Sequence, residues 1–395
     1  MSGKYSLELL GTWSLVIVWG GNLVGLASPN LTQSAPASLA GPGAALQERI
    51  DRGPGASAFE PGFGYLRAVL QAAEIPETSQ LLVFSKTSCQ RERISPKTPR
   101  AIYFNDRAYV AWVQGSALLE LSLLDPQSGA VFYTLEQNAG RPPLLIRRDQ
   151  CLECHTSRQT LNVPGYVVRS YATDTNGVID ITDGWSMVDH RTPWPERWGG
   201  WYVDQPVGLG QSASLANAGS ASSNVDLSRY LQPGSDLVAL LVLQHQAHMQ
   251  NLLTQLRVAA NAPATSPEAW KNSSETVVRY LLFADETPLG APVKSGSAFA
   301  KWFENAGPRD SQGRSLRELD LQTRLFRYPC SYMIYSPGFD ALPRAVQLHL
   351  YSRLGKILRG EDSDPAYASL APATRRAILE ILIATKPEVP IAWKL

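Results

Sequence analysis

Five consecutive residues, Cys151-Leu152-Glu153-Cys154-His155, combine two thiols and an imidazole at a spacing that can do specific chemistry. Two cysteines three residues apart lie on one turn of a helix, where both thiols can add to neighbouring vinyl groups of a porphyrin. The imidazole that follows can then ligate the iron. With four Cys and five His in 395 residues, composition alone would produce this pattern about 0.0005 times. The motif therefore predicts one covalently attached haem c, held by Cys151, Cys154 and His155.

Two other chemistries remain open for these thiols. A thioredoxin-like dithiol has the same spacing, but it opens a helix directly after a strand of a βαβ unit, and only a short apolar run precedes the motif here. A zinc site needs four ligands, usually from a second Cys or His pair, and Cys89 and Cys330 stand alone in the sequence. In an oxidising compartment those two cysteines are candidates for a disulfide, and the sequence leaves their pairing open. Haem attachment is the favoured interpretation.

The second axial ligand of the iron has several candidates. A helix is predicted over residues 236–258, and His245 lies at the centre of its apolar face, with Met249 one turn later. A buried imidazole needs a polar partner, which is either iron or a carboxylate or carbonyl group of the protein. We take His245 as the leading metal ligand after His155, with His190, Met249 and Met187 as the next candidates and an open position as the alternative.

A tryptophan-rich segment at residues 189–202 contains three of the ten tryptophans of the chain. Its arginines, Arg191 and Arg197, are suited to the two propionates of a haem, because the guanidinium fork matches a carboxylate. Trp198 is then expected to line the edge of the ring. The alternative is that the tryptophans form a core and the arginines are exposed. Both interpretations stay open, and the first makes Arg191, Arg197 and Trp198 cofactor-binding residues.

The N-terminus carries features of an export segment. Lys4 precedes a mainly apolar run over residues 9–27, and small residues at Gly25 and Ala27 suit cleavage by a signal peptidase. The run is about 19 residues, near the minimum for spanning a membrane, and Gly20 and Gly21 interrupt it. Residues 1–27 are therefore predicted to be a signal peptide or an N-terminal membrane anchor. Periplasmic or otherwise exported localisation agrees with the haem motif, because c-type haem is attached outside the bacterial cytoplasm.

The remaining chain divides by pattern into four regions. Residues 28–57 are rich in Ala, Ser, Pro and Gly and predict a flexible spacer. Residues 58–136 predict a β-rich region with five strands, because short apolar runs alternate with turn sequences. Residues 137–260 are expected to form a mainly helical, cytochrome c-like haem region with long loops. Residues 261–395 are expected to form a helical C-terminal region packed on it, with helices over 343–360 and 374–385. The predicted fold class is α+β.

Several segments beyond the motif together resemble a family of uncharacterised bacterial proteins with a single cytochrome c motif. The resemblance spans most of residues 80–395 and implies haem binding and export, but no substrate. A minimal cytochrome c domain is far shorter than this chain, which is a departure from simple cytochromes c. The segments that carry the resemblance are SPKTPRAIYFND (95–106), DPQSGAVFYTLEQ (125–137), CLECH (151–155), VPGYVVRS (163–170), DHRTPWPERWGGWY (189–202), DLVALLVLQHQ (236–246) and YPCSYMIYSPGFDALP (328–343).

These observations predict an exported monohaem c-type cytochrome that transfers electrons to and from redox partner proteins. One alternative is a haem enzyme or a redox or gas sensor with an open distal iron site, for which His190 and Arg191 form a weak distal pair. Another is a haem-carrying subunit of a membrane respiratory complex. The formal net charge of +1 gives no case for nucleic acid binding. We favour an electron carrier over an enzyme.

Overall fold

A six-stranded antiparallel sheet, with its strands in sequence order, is the main element of the N-terminal half of the computed structural model. The structure describes residues 39–52, 59–203, 225–262, 269–294, 296–390 and 393. The five strands expected from the sequence are present, and a sixth follows them, which confirms the β-rich region. The strands are β1 Leu81–Val83, β2 Arg100–Phe104, β3 Ala108–Trp112, β4 Leu118–Asp125, β5 Gly129–Glu136 and β6 Leu145–Arg147.

Asparagine and aspartate side chains form the turns between the strands. Between β2 and β3, the side-chain oxygen of Asn105 accepts hydrogen bonds from two backbone amides of the turn at 2.9 Å each. Between β4 and β5, Asp125 accepts from the amides of Gln127 and Ser128 at 2.7 and 3.0 Å. Gly129 ends that turn with φ +89°, a conformation that favours glycine. The turn residues therefore fix the hairpin positions that the sequence predicts.

Two short helices cover one face of the sheet, α1 Gly41–Arg52 and α2 Leu66–Ala72. Leu46 and Ile50 of α1 lie one turn apart and are completely buried. The composition of residues 28–57 predicts a flexible spacer, and for residues 41–52 this is wrong. The segment 28–57 as a whole is rich in Ala, Ser, Pro and Gly, but within it Leu46 and Ile50 anchor a helix on the sheet, so residues 41–52 belong to the folded body.

The described residues between the sheet and the long helix, 148–203 and 225–236, contain less helix than the sequence predicts. They form one α-helical turn, α3 Leu152–His155, and a hairpin of β7 Arg169–Thr173 and β8 Ile179–Met187. Asp174 accepts hydrogen bonds from the amides of Asn176 and Val178, which forms the turn between these two strands. For these described residues, the expected mainly helical haem region is therefore corrected to a mixture of loops, one hairpin and one α-helical turn that lead to the long helix.

The long helix α4, Leu237–Asn261, lies at the centre of the molecule between the other face of the sheet and the C-terminal helices. Asp236 caps its N-terminus by accepting from the amide of Ala239 at 2.9 Å. Side chains on all sides of the helix are buried, because protein surrounds it. The helices that follow it are α5 Ala269–Leu281, α6 Ala298–Asn305, α7 Pro337–Asp340, α8 Arg344–Leu358 and α9 Pro372–Thr385.

The sheet followed by helices confirms the α+β class. All described residues belong to one compact unit, Pro36–Leu395. The predicted signal peptide or anchor at residues 1–27 lies outside the described residues. In the part of the chain that is described, no helix has the length and apolar character that crossing a membrane requires.

Candidate functional site

The CxxCH motif follows strand β6 and forms one helical turn on the surface. A 3₁₀ turn at Asp149–Cys151 leads directly into α3, which contains Cys154 and His155. Both thiols are free, with Cys151 half-buried and Cys154 exposed. Because β6 pairs antiparallel at the end of a meander, the motif does not occupy the strand-to-helix position of a βαβ unit. This placement weighs against the thioredoxin-like interpretation.

The imidazole of His155 is held by the backbone of a glycine ten residues later. Its Nδ1 lies 2.9 Å from the carbonyl oxygen of Gly165, and the amide of Gly165 donates back to the carbonyl of His155, also at 2.9 Å. A carbonyl oxygen can only accept, so Nδ1 carries the proton and Nε2 keeps its lone pair. The ring packs against Phe132, with the two centroids 4.4 Å apart. The free nitrogen is the one that a metal would take.

Burial lowers the pKa of His155, and the positive charges of Arg169 and Arg100 lower it further, against the opposing hydrogen bond to Gly165. The neutral imidazole is therefore favoured near neutral pH. A neutral imidazole is the form that ligates iron, because protonation would occupy the nitrogen that binds.

A polar patch lies on the sheet face beside the motif. Glu120 of β4 accepts a hydrogen bond from the thiol of Cys89 at 2.7 Å, and its second oxygen lies 3.5 Å from Arg100. Burial, and next the charge of Glu120, raises the pKa of Cys151 to about 11. Burial likewise raises the pKa of Cys89. The thiol of Cys151 is therefore protonated near neutral pH, which is a second argument against a reactive dithiol.

The four cysteines of the chain are all free in the structure. Cys89 is exposed and bonded to Glu120, whereas Cys330 is completely buried. The disulfide that the sequence leaves open between them is therefore not formed here.

Two arginines near the motif have buried nitrogens without a partner. The Nε atoms of Arg100 and Arg169 are buried and have no hydrogen-bond partner among the described residues. Both charges act on His155, so both side chains lie within electrostatic range of its ring. An orphaned guanidinium N–H is costly, and a carboxylate is its best partner. The Nε–H groups of both arginines thus fit the propionates of a haem attached at this motif, with Arg100 also paired to Glu120 through its Nη1.

Arg191, Arg197 and Trp198, the cofactor-binding candidates from the sequence, have protein partners instead. Arg191 donates to both carboxylate oxygens of Asp189 at 3.1 and 2.7 Å. Arg197 donates to the carbonyl of Thr192 at 2.6 Å and also to a neighbouring backbone carbonyl. Trp198 is 2% exposed and donates to a glutamine of α4 at 3.1 Å. Their described contacts hold the 189–198 segment together and against α4, and none of these contacts reaches the CxxCH motif.

His245, the leading candidate for the second iron ligand, also has protein partners. Its Nδ1 lies 2.8 Å from Nδ1 of His190, and its Nε2 lies 2.7 Å from the hydroxyl of Ser331. The side chain is completely buried, and burial lowers its pKa to about 3. The polar partner that the apolar helix face requires is therefore a hydroxyl and a second imidazole. His245 would have to break one of these bonds to bind a metal, and the structure does not support its role as iron ligand.

The other axial candidates differ in their surroundings. Met249 and Met333 are completely buried in the core. His349 lies on α8 with its ring 5.2 Å from that of Trp270. Met187 is half-buried at the end of β8, directly opposite Arg169 in the strand register. Opposite residues of an antiparallel pair project to the same side, so Met187 and Arg169 lie on one side of the hairpin. The charge of Arg169 acts on His155, which places Met187 on the same side of the hairpin as this charge.

The sequence alone did not single out Gly165, Arg100 and Arg169. All three lie inside segments that carry the family resemblance, Arg100 in 95–106 and the other two in 163–170. Their place in these segments is the one sequence feature that points to them, because nothing in their local spacing marks them as parts of a site.

In the described part of the chain, no three His, Cys, Asp or Glu side chains gather as ligands for a metal ion, so the zinc alternative gains no support. Comparison with known proteins found no matching family model, no matching curated protein and no matching solved structure.

Proposed function

We propose that the chain is an exported monohaem c-type cytochrome that carries electrons. Haem c would be bound through thioethers to Cys151 and Cys154, with His155 as the axial ligand. The observation that carries the proposal is the hydrogen bond from Nδ1 of His155 to Gly165, on the same turn as two free thiols. This bond fixes the tautomer and orients Nε2, which is the arrangement that metal-ligating histidines commonly have.

The residues of the site have separate roles in this proposal. When bound, haem supplies an iron centre that gains and loses one electron. Each thiol adds across one vinyl group: sulfur bonds to one carbon, the thiol proton goes to the other, and no oxidant is consumed. The Gly165 carbonyl keeps a proton on Nδ1 of His155, and Arg100 and Arg169 provide the N–H groups that the propionates need.

The exposure of the motif favours an electron carrier over an enzyme. Cys154 is exposed on the surface turn, so a porphyrin edge bonded to it would lie where a redox partner protein can approach. By contrast, His190 and Arg191, the candidate distal pair of a peroxidase-like site, form hydrogen bonds with other protein groups. His190 is buried, with Nδ1 bonded to His245 and Nε2 without a partner among the described residues, and Arg191 is bonded to Asp189. In the described part of the chain, the free Nε2 of His190 is the one observation in favour of the haem enzyme or sensor alternative, and no described contact brings it to the CxxCH motif.

Covalent haem is tested by expressing the chain with a bacterial haem-attachment system. We expect the denatured polypeptide to keep its haem stain after acid–acetone extraction and to gain the mass of one haem. Cys151→Ser or Cys154→Ser should abolish or strongly reduce the stain, because each removes one thioether. Cys89→Ser is the matched control and should keep it, since its thiol bonds to Glu120 beside the motif. A colourless wild-type preparation would contradict the proposal.

A further inference from the structure

The loop that holds His155 is itself held from the long helix. The backbone of Gly165 makes two hydrogen bonds with His155, one to its ring and one to its carbonyl. The next residue, Tyr166, is bonded twice by one side chain of α4. The amide oxygen of Asn251 accepts from the Tyr166 amide at 2.8 Å, and the amide nitrogen donates to the Tyr166 carbonyl at 2.7 Å. Asn251 thus pairs with Tyr166 as a neighbouring strand would.

The contact between Asn251 and this loop is tight. Asn251 is 1% exposed. A Cβ added to Gly165 would lie 2.3 Å from the Asn251 amide oxygen, a distance that real Cβ atoms do not adopt. Only a glycine lets the loop backbone come this close to the side chain. The position of the Gly165 carbonyl is therefore set by Asn251 together with the absence of a side chain at residue 165.

The neighbouring side chain of α4 makes its bonds elsewhere. Gln250 donates to the carbonyl of Asp106 at 2.9 Å and accepts from the hydroxyl of Tyr109 at 2.6 Å, both in the β2–β3 hairpin and not in the loop around Gly165. From the sheet side, the amide of Ala130 donates to the carbonyl of Pro164 at 3.0 Å. The loop around Gly165 is thus fixed by the helix on one side and by the sheet on the other.

We propose that Asn251 is a positioning residue for His155 that tunes the reduction potential of the haem iron. The inference rests on the proposed haem function and deepens it. A well-placed Gly165 carbonyl strengthens the hydrogen bond that Nδ1–H of His155 donates to it. This bond makes Nε2 a better electron donor, which stabilises oxidised iron. Loss of this placement weakens the bond, so that the reduction potential rises and His155 leaves the iron more easily in acid.

The test compares two amide-to-carboxylate changes at neighbouring positions of α4. Asn251→Asp keeps the acceptor for the Tyr166 amide but replaces the donor to the Tyr166 carbonyl with a repelling oxygen. Gln250→Glu is the matched control, because Gln250 is 2% exposed and makes two bonds to the hairpin rather than to the loop. Asn251→Gln, which retains the amide but lengthens the side chain, serves as a second variant if Asn251→Asp does not fold.

The haem-loaded proteins are measured by redox titration and by acid titration of the absorption spectrum. We expect the potential of the Asn251 variant to rise above that of wild type, with Gln250→Glu unchanged. The pH at which His155 leaves the iron should rise by about one unit, which corresponds to about a tenfold loss of ligand affinity. Equal shifts in both variants would indicate a merely structural role and overturn the inference.

A second measurement does not need haem. Nitrogen NMR of the haem-free wild-type chain should show His155 as the neutral tautomer with its proton on Nδ1, and Asn251→Asp should convert it to a mixture of both tautomers. An unchanged tautomer would overturn the role of Asn251 even if covalent haem is found. Failure of haem attachment together with the expected change of tautomer would refute the proposed function and leave the positioning role standing.

Discussion

The half-buried imidazole of His155 and the completely buried imidazole of His245 differ in what the second ring nitrogen bonds to. His155 uses Nδ1 for a carbonyl and keeps Nε2 for a ligand, whereas His245 uses both nitrogens for protein partners. Both have a pKa lowered by burial, so neither pKa distinguishes a ligand from a core histidine. The hydrogen-bond partners do distinguish them, because a metal needs a nitrogen whose lone pair is not already taken.

Under the proposed function, substitution in the haem-loaded protein identifies the distal ligand of the iron. We expect Met187→Ala to shift the Soret band and to let carbon monoxide bind, because Met187 lies on the side of the β7–β8 hairpin shared with Arg169. We expect His245→Ala to leave the spectrum unchanged and to lower the free energy of unfolding by about 1–3 kcal/mol, since it removes a partner from Ser331 and His190. Absorption spectra with and without carbon monoxide, and denaturant unfolding, separate the two effects.

The opposite result would restore the sequence-based hypothesis. If His245→Ala alone opens the iron to carbon monoxide, His245 moves to the metal in the haem-loaded protein. If neither variant changes the spectrum and the wild-type iron already binds carbon monoxide, the distal position is open and the sensor or enzyme alternative gains support.

At the scale of elements, helix α1 is the clearest addition to what the sequence predicts. Ile50 is 1% exposed in the core formed by α1, α2 and one face of the sheet. We expect Ile50→Ala to lower the free energy of unfolding by about 2–5 kcal/mol, because it leaves a cavity in that core. Glu48→Ala is the control on the same helix, and we expect a change of less than about 1 kcal/mol, since Glu48 makes only an exposed ion pair with Arg52. Denaturant unfolding with matched slopes measures both.

Equal stabilities of Ile50→Ala and wild type would mean that residues 41–52 do not pack on the sheet in solution. The composition-based prediction of a spacer would then hold for these residues as well.

Local patterns explain which elements could be predicted. The short apolar runs of strands β1–β5 between their turn sequences, and the capped apolar helix α4, carry their signal within a few neighbouring residues, and so does the CxxCH turn. The bonds that orient the site do not, because Asn251 and Tyr166 are 85 residues apart in sequence. Arg100 and Arg169 are likewise brought beside His155 by the fold alone. The CxxCH turn was therefore predictable from the sequence, whereas the residues that the fold brings around it were not.

At the scale of the whole molecule, a histidine cluster with two buried members and one half-buried member joins three parts of the chain. We define it as His190, His245 and His248, three of the five histidines. His190 belongs to the tryptophan-rich segment, His245 and His248 to α4, and Ser331 connects the cluster to the C-terminal region. The rings of His190 and His245 also pack against Tyr280 of α5, with centroids 4.1 and 5.1 Å away. The cluster thus depends on neutral imidazoles in the interior of the fold.

This cluster makes the stability of the protein sensitive to acid. Burial lowers the pKa of His245 to about 3 and that of His248 to about 4, and it lowers the pKa of His190 well below its usual value of 6.5. Below about pH 6.5 the unfolded chain therefore binds protons that the folded chain does not, and stability falls as the pH falls from there towards about 4. Each histidine contributes up to about 1.4 kcal/mol per pH unit in this window.

We expect the free energy of unfolding, measured by denaturant titration at several pH values, to decrease steadily between pH 6.5 and 4.5. In His248→Gln the decrease should be shallower by up to about 1.4 kcal/mol per pH unit, because one proton-binding difference between the unfolded and folded chain is lost. The Gln carbonyl can still accept from Arg191, which bonds to His248 at 3.2 Å, so the fold should persist. A variant whose stability falls as steeply as that of wild type would show that His248 is already charged, or solvated, in the folded protein.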